Sequence, residues 1–329
     1  MTTKRRILIL ALCCASSWLA ATAHAQSTAT GYPSRPVRFI VGHASGGLVD
    51  TIARVVAQHL SERLGQPVVV DNRPGASEVI AAEAVAKSPP DGHTIYMPSE
   101  TAMVFNAITR KSLPYNPQRD FTPISMVAES PFYLVVNPSV PARSVNELIA
   151  LAKSQPGKVT FGSIGTGTMQ HLLGEMFKAR AKVDLLHVPY KGSGAAVLDL
   201  VSGRIDIMFQ GGGGTLAHIR SGKLRALAAT SATRPEETQN LPTMMEAGVP
   251  DFDASSWFGL VGPAELPRPI VDRLNRELGE LLRAPETRKK LAPLGINLAP
   301  STPEGFGERI RKDFPFWTRV IRDARIEPE

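Results

Sequence analysis

The chain has 329 residues, 43% of them hydrophobic, and its 37 Lys and Arg against 30 Asp and Glu leave a net charge of +7. This length can bury a core that needs no cross-links, and with no basic run or interleaved aromatic stripe a nucleic-acid partner is not expected. Both cysteines, Cys13 and Cys14, precede Gln26, so the remainder of the chain has no disulfide, no thiol nucleophile and no Cys metal site.

Lys4, Arg5 and Arg6 form a basic start, Ile7 to Ala20 an apolar run too short to span a bilayer comfortably, and Ala23-His24-Ala25 a small-residue cleavage site. We expect a signal peptide cleaved after Ala25 and a soluble periplasmic product, without a lipid anchor. Export would remove three of the seven net charges, leaving a modest positive field that favours acidic ligands. No later apolar run approaches membrane-spanning length.

Val37 to Val41 reads as a strand, Gly42-His43-Ala44-Ser45-Gly46-Gly47 as a loop, and Ile52, Val55, Val56, Leu60 and Leu64 as the stripe of a helix. Such a loop aims the N-terminus of a helix outward, with unpaired N–H groups that favour anions. Gln66 to Asp71 is a strand, Arg73-Pro74-Gly75-Ala76 a turn, Ser77 to Lys87 an Ala-rich helix and Thr94 to Met97 a strand. Ser99, Glu100 and Thr101 follow at its carboxyl end, where open α/β sheets bind ligands and where an N-cap is equally at home. Lys111 to Pro123 is a connecting loop, and Ile124 to Ala128 and Phe132 to Val136 are strands split by Pro131.

Ser144-Val145-Asn146-Glu147 is a capping box for a helix through Lys153. The opening construction then recurs: strand Lys158 to Ile164, loop Gly165-Thr166-Gly167-Thr168, and a helix striped by Met169, Leu172, Leu173, Met176 and Phe177. Two anion-favouring loops suggest one small anion held from both sides, although βα turns often contain Gly. Leu185 to Pro189 is a strand, Tyr190 to Gly194 a third glycine turn, Ala195 to Val201 a helix and Ile205 to Phe209 a strand ending at Gln210. Gly211 to Gly214 form either a flexible turn or a place of close ligand approach. Leu224 to Thr230 is a strand, Pro242 to Ala247 a short helix, Ser256 to Val261 a strand and Pro269 to Leu282 an amphipathic helix. A last helix runs from the Ser301-Thr302-Pro303-Glu304 cap to about Ala324, kinked at Pro315. Strands alternating with helices predict α/β architecture. A crossing near 128 and a return near 228 predict a discontinuous lobe, 26–127 plus 229–329, and an inserted lobe, 128–228.

The ordered motifs carry a family resemblance over essentially the whole exported chain. They include Tyr32-Pro33-Ser34-Arg35-Pro36-Val37, Gly46-Gly47 with Asp50, Asn72-Arg73-Pro74-Gly75-Ala76 and Pro90-Asp91-Gly92. His187-Val188-Pro189-Tyr190-Lys191-Gly192, Gly222-Lys223-Leu224-Arg225-Ala226-Leu227-Ala228 and the Trp257 strand follow. The chain resembles the solute receptors of the tripartite tricarboxylate transporter family, often called Bug-type receptors. The resemblance implies a type II periplasmic binding protein fold: two α/β lobes joined by two crossover strands, with a ligand cleft between them. It implies reversible, non-catalytic capture of a small carboxylate (dicarboxylate, tricarboxylate, amino acid or aromatic acid) and delivery to a transporter with one large and one small integral membrane subunit. It also implies ligand contacts at Ser45, Gly46, Gly47 and Asp50, and at Ser163, Gly165, Thr166, Gly167 and Thr168. A monomer without cofactor or metal is expected. Two departures stand out. Gly42-His43-Ala44-Ser45 replaces the family's usual Pro-Phe-Pro-Ala, and Ser77-Glu78 follows Ala76 where another Gly is common.

Further candidates have a structural alternative each. His43 could donate to a second carboxylate or be an idle loop residue. Asp50 could touch the ligand or merely favour the helix start. His171 could face the ligand, pack or cap, and Tyr190 could present its hydroxyl or bury its ring. Ser99, Thr101 and Gln210 complete the expected ligand-binding set. A secreted α/β enzyme is the rival reading, but Gly192-Ser193-Gly194 is not a nucleophile elbow and Gly165-x-Gly167 lacks the third glycine of a dinucleotide fingerprint. A ligand-presenting partner of a membrane sensor kinase would share the same binding chemistry.

Overall fold

A computed structural model describes residues 31–235 and 238–327. The expected signal peptide and its cleavage site lie outside the described residues.

Strand β1 (Val37–Val41) is the apolar centre of the first half of the sheet, flanked in parallel by β2 (Val68–Asn72) and β3 (Thr94–Met97). Helix α1 (Leu48–Leu64) covers it with Ile52, Val56, Leu60 and Leu64 inward and ends at Gly65, whose φ of 72° closes the helix in the left-handed conformation. A turn at Ala76–Glu78 leads into helix α2 (Val79–Ala86). After β3 comes a wide helical turn, Thr101–Phe105, and the short helix α3 (Asn106–Thr109).

Strand β4 (Phe121–Val136) is 16 residues long and joins the two halves of the sheet. Its first part, through Pro131, runs antiparallel to β9 (Ser255–Pro263). From Phe132 its partners are β7 (Ile207–Gly211) and β8 (Arg225–Ala229). The two strands expected on either side of Pro131 are therefore one. Proline forbids a ladder hydrogen bond but not an extended backbone, and Pro131 stands where one set of partners hands over to the next.

Beyond β4 come helix α4 (Val145–Ser154), β5 (Thr160–Ser163), α5 (Met169–Ala181), β6 (Leu186–Pro189) and α6 (Ser193–Ser202). Ser144 Oγ accepts from the Glu147 N–H at 3.1 Å, the cap expected for α4. Strand β5 lies parallel between β6 and β7, giving the order β2-β1-β3-β9-β4-β7-β5-β6. The glycine run is not a flexible turn: Gly212 opens helix α7 (Gly212–Arg220) directly after β7. Helical hydrogen bonding and packing on β4 and β7 outweigh the poor propensity of consecutive glycines.

The segment expected as a helix over 242–247 is a series of turns, with Ala229 and Met244 hydrogen-bonded across to Pro242 and Ala229. Helix α8 (Arg268–Arg283) buries Ile270, Leu274, Leu278 and Leu281 against α1. Helix α9 (Pro285–Leu291), not anticipated from its polar sequence, follows Ala284 with Pro285 in its first turn. Strand β10 (Asn297–Leu298) edges β4, and helix α10 (Pro303–Asp323) runs as one helix across Pro315, capped by Thr302. It packs Phe306, Ile310 and Trp317 into the core that also holds residues from both halves of the sheet.

Candidate functional site

Strands β1 and β3 run opposite to β5 in the sheet, so the loops at their carboxyl ends, where ligands bind in open α/β folds, approach one cleft from the two halves of the sheet. These loops, with the residues that follow α10, line a cleft of about 810 Å³. Phe105, Phe132, Ile164, Met169 and Phe258 supply apolar surface, and hydroxyls, amides, carboxylates, the imidazoles of His43 and His171 and the guanidiniums of Arg110 and Arg325 supply the rest.

The loop after β5 forms one wall. Gly165 and Gly167 sit at φ of 131° and 77°, which L side chains rarely adopt. Thr168 Oγ1 donates to Gly165 O at 2.7 Å, and no side chain caps the first turn of α5. The N-terminus of this helix therefore presents its free N–H groups and partial positive charge at the cleft. Two histidines brace the loop. His171 Nδ1 accepts from the Gly167 N–H at 3.1 Å, and His187 Nε2 lies 2.7 Å from Ser163 Oγ, which itself accepts from Gly165 N–H. The two imidazoles stack at 4.2 Å, with His187 also stacked on Phe161. Burial, then the neighbouring His171, pushes His187 down to about 4; burial and Lys178 lower His171.

The opposite wall comes from the loops after β1, β2 and β3. Glu78 reaches inward from a turn in which Ala76, Ser77 and Glu78 stand at φ of 46°, 54° and 69°. Its carboxylate accepts from Tyr96 OH at 2.9 Å, Ser99 N–H at 3.3 Å and Ser99 Oγ. His43 Nε2 lies 3.8 Å away. Glu100 accepts from Ser256 Oγ at 2.5 Å and Trp257 N–H at 3.0 Å, and burial pushes its carboxyl up to about 7. Arg110 stands at the rim, its guanidinium donating to Asn106 Oδ1 and Ala76 O.

Of the residues singled out in the sequence, His43, Ser99, Thr101, Thr166, Gly167, Thr168 and His171 line this cleft. Ser163 and Gly165 do not line it. Ser45, Gly46 and Asp50 line a separate shallow depression of about 500 Å³, and Gly47 lines neither. Asp50 organises the first glycine loop instead. Its carboxylate accepts from Arg54 Nε at 2.8 Å, Gly46 N–H at 2.9 Å and Asn72 Nδ2 at 2.9 Å, and the Arg54 hydrogen bond does most to hold it down to about 2. Tyr190 OH donates to Asp199 Oδ2 at 2.8 Å, and Gln210 Nε2 donates to Ser193 Oγ at 2.6 Å. Glu78, Arg110, Ser256 and Phe258 line the cleft without having been anticipated. The only sequence signal among them was the departure at Ser77-Glu78.

Among the described residues, no group of three or more His, Cys, Asp or Glu could hold a metal ion, and no helix is long and apolar enough to cross a membrane. A family profile described as tripartite tricarboxylate transporter family receptor matches residues 52–323. Protein BugT of Bordetella pertussis is 37% identical over 325 residues, covering 98% of both chains. An R. palustris protein solved with adipate is 34% identical, with a TM-score of 0.78 over 91% of this chain and 100% of that one. MatC from Rhodopseudomonas palustris, solved with bound malate, is 30% identical, with a TM-score of 0.72 over 88% of this chain and 100% of that one.

Proposed function

The chain belongs to the tripartite tricarboxylate transporter receptor family, and from that premise we propose that it captures a small carboxylate in the cleft between the β3 and β5 ends and delivers it to a membrane transporter with one large and one small integral subunit. The observation that carries this reading is the uncapped N-terminus of α5, facing the cleft beside Thr166 and Thr168. A carboxylate there meets preorganised N–H and O–H donors and the positive end of the helix. Charge-assisted hydrogen bonds contribute roughly 1.5–3 kcal/mol each. Three or four of them reach a micromolar constant, about −8 kcal/mol, after the cost of association.

In this reading the ligand is bound and released unchanged. The protein is exported to the periplasm after cleavage following Ala25 and works as a monomer. Residues 26–127 plus 229–329 form one lobe and 128–228 the other, closing over the ligand about the strands that join them. Thr166, Gly167, Thr168, Ser99 and Thr101 hold the ligand; Ser163, Gly165 and His171 shape the loop that does so, and Asp50, Ser45, Gly46 and Gly47 set the first loop behind His43. The bonded positions of Tyr190 and Gln210 fit a supporting role.

A thermal-shift screen tests the reading. Refolded protein is heated with aliphatic, hydroxylated, amino and aromatic acids, each beside its amide or alcohol analogue. An acid at about 100 times its dissociation constant adds about 2.7 kcal/mol, a rise of several degrees at this size. A shift with an acid and none with its uncharged analogue is expected. No shift with any acid would reject the carboxylate receptor.

A further inference from the structure

The wall opposite α5 has the wrong charge for the far end of a plain dicarboxylate. Glu78 is 3% exposed, yet its carboxylate is held by the neutral donors of Tyr96 and Ser99 alone. Among the described residues no Arg or Lys lies within 4.0 Å of it, and His43 approaches only to 3.8 Å. A buried carboxylate is costly unless a positive group meets it. The surroundings also make room for this acid. A Cβ on Gly42 would stand 2.8 Å from Glu78 Cγ and 3.0 Å from its Cβ, so the side chain lies where any residue other than glycine at position 42 would crowd it. The turn that delivers it keeps three successive non-glycine residues at positive φ. The cleft thus has free N–H groups on one wall and a buried carboxylate on the other; Arg110 and Arg325 also line it, but neither pairs with Glu78.

We infer that Glu78 determines specificity, and that the ligand is an acid bearing an ammonium group, with its carboxylate on the N-terminus of α5 and its ammonium on Glu78. The assignment rests on the receptor reading above and narrows its ligand class. A second ligand carboxylate at this place would face Glu78 as a like charge. An ammonium forms charge-assisted hydrogen bonds with it instead.

Calorimetry on matched pairs tests this: β-alanine and propionate, aspartate and succinate, glutamate and glutarate, 2-aminoadipate and adipate. The expected result is at least one pair whose amino member binds tenfold or more tightly than its partner. Glu78→Gln, which keeps the shape, should cut the affinity of that amino acid at least tenfold and leave or improve binding of the partner. If the acid lacking the amino group binds equally or more tightly in every pair that binds, the inference is overturned while the receptor reading stands. The wild-type comparison decides this even if the variant does not fold. Equal loss of both members in folded Glu78→Gln also overturns it. Binding of neither member in any pair, with no shift in the wider acid screen, rejects the receptor reading and this inference together.

Discussion

His171 and His187 show how single residues set the second glycine loop. One of their hydrogen bonds to the loop needs an unprotonated ring nitrogen: His171 Nδ1 accepts from Gly167 N–H, so a proton there removes that bond. Burial lowers both histidines, His187 to about 4, below the ordinary value of 6.5. Between those values the unfolded chain binds a proton at position 187 that the folded chain refuses. Stability is therefore lost as pH falls from about 6.5 toward 4 and is fully present above the upper value. His187→Phe keeps a ring to stack on Phe161 and removes this titration. The melting temperature of the variant should fall less than that of wild type across this window, in scanning calorimetry at matched ionic strength. Parallel curves would show that His187 does not link folding to pH. The sequence displayed both histidines in recognisable motifs, but not their stacking at 4.2 Å. Residues 16 positions apart on a helix and a later strand meet only when β5 and β6 pair in register. The same limit hid Glu78, whose place in the cleft depends on the unusual turn before it and on Tyr96 and Ser99 beneath it.

At the scale of elements, the docking of α10 on the sheet depends on small residues as much as large ones. Gly259 of β9 lies directly under the Phe306 ring, and a Cβ added there would overlap it. Phe306 is fully buried and meets Trp257 edge-on at 5.3 Å. Trp257 Nε1 donates to Asp313 Oδ2 at 2.7 Å, and Arg309 bonds both Asp313 and Glu129. The ring cannot swing away without breaking this arrangement. Gly259→Ala should cost roughly 1–3 kcal/mol, lowering the melting temperature by several degrees; an unchanged melting temperature would show that α10 repacks freely. Helix α10 was legible from its cap, and α1 and α8 from their apolar stripes, because caps and amphipathic periodicity are local information. The helix opened by Gly212 and the continuous β4 were not. In both, neighbours outweighed the local preferences of Gly and Pro.

At the scale of the whole molecule, β4 passes its partners from β9 to β7 and β8 near Pro131, and the cleft opens beside that crossing, where Phe132 lines it. A hinge there would let the two walls close on a ligand. Small-angle scattering should then give a ligand-free radius of gyration above about 19 Å, the value for a compact chain of this size. The radius should fall toward that value when the acid identified by thermal shift is added. A radius unchanged by a saturating, stabilising acid would exclude closure as the response to binding.

The amino-acid sequence by itself determined the alternation of strands and helices, the two glycine loops and the family. Periodicity, caps and the need for glycine at positive φ are written in neighbouring residues, and the family motifs stand in order along the chain. Only the tertiary structure decided what faces the cleft. It turned Asp50 inward to brace the first loop, brought Glu78 and Glu100 to the wall opposite α5, and set His171 against His187. These outcomes depend on strand register and on packing between distant segments, and no local pattern encodes either one.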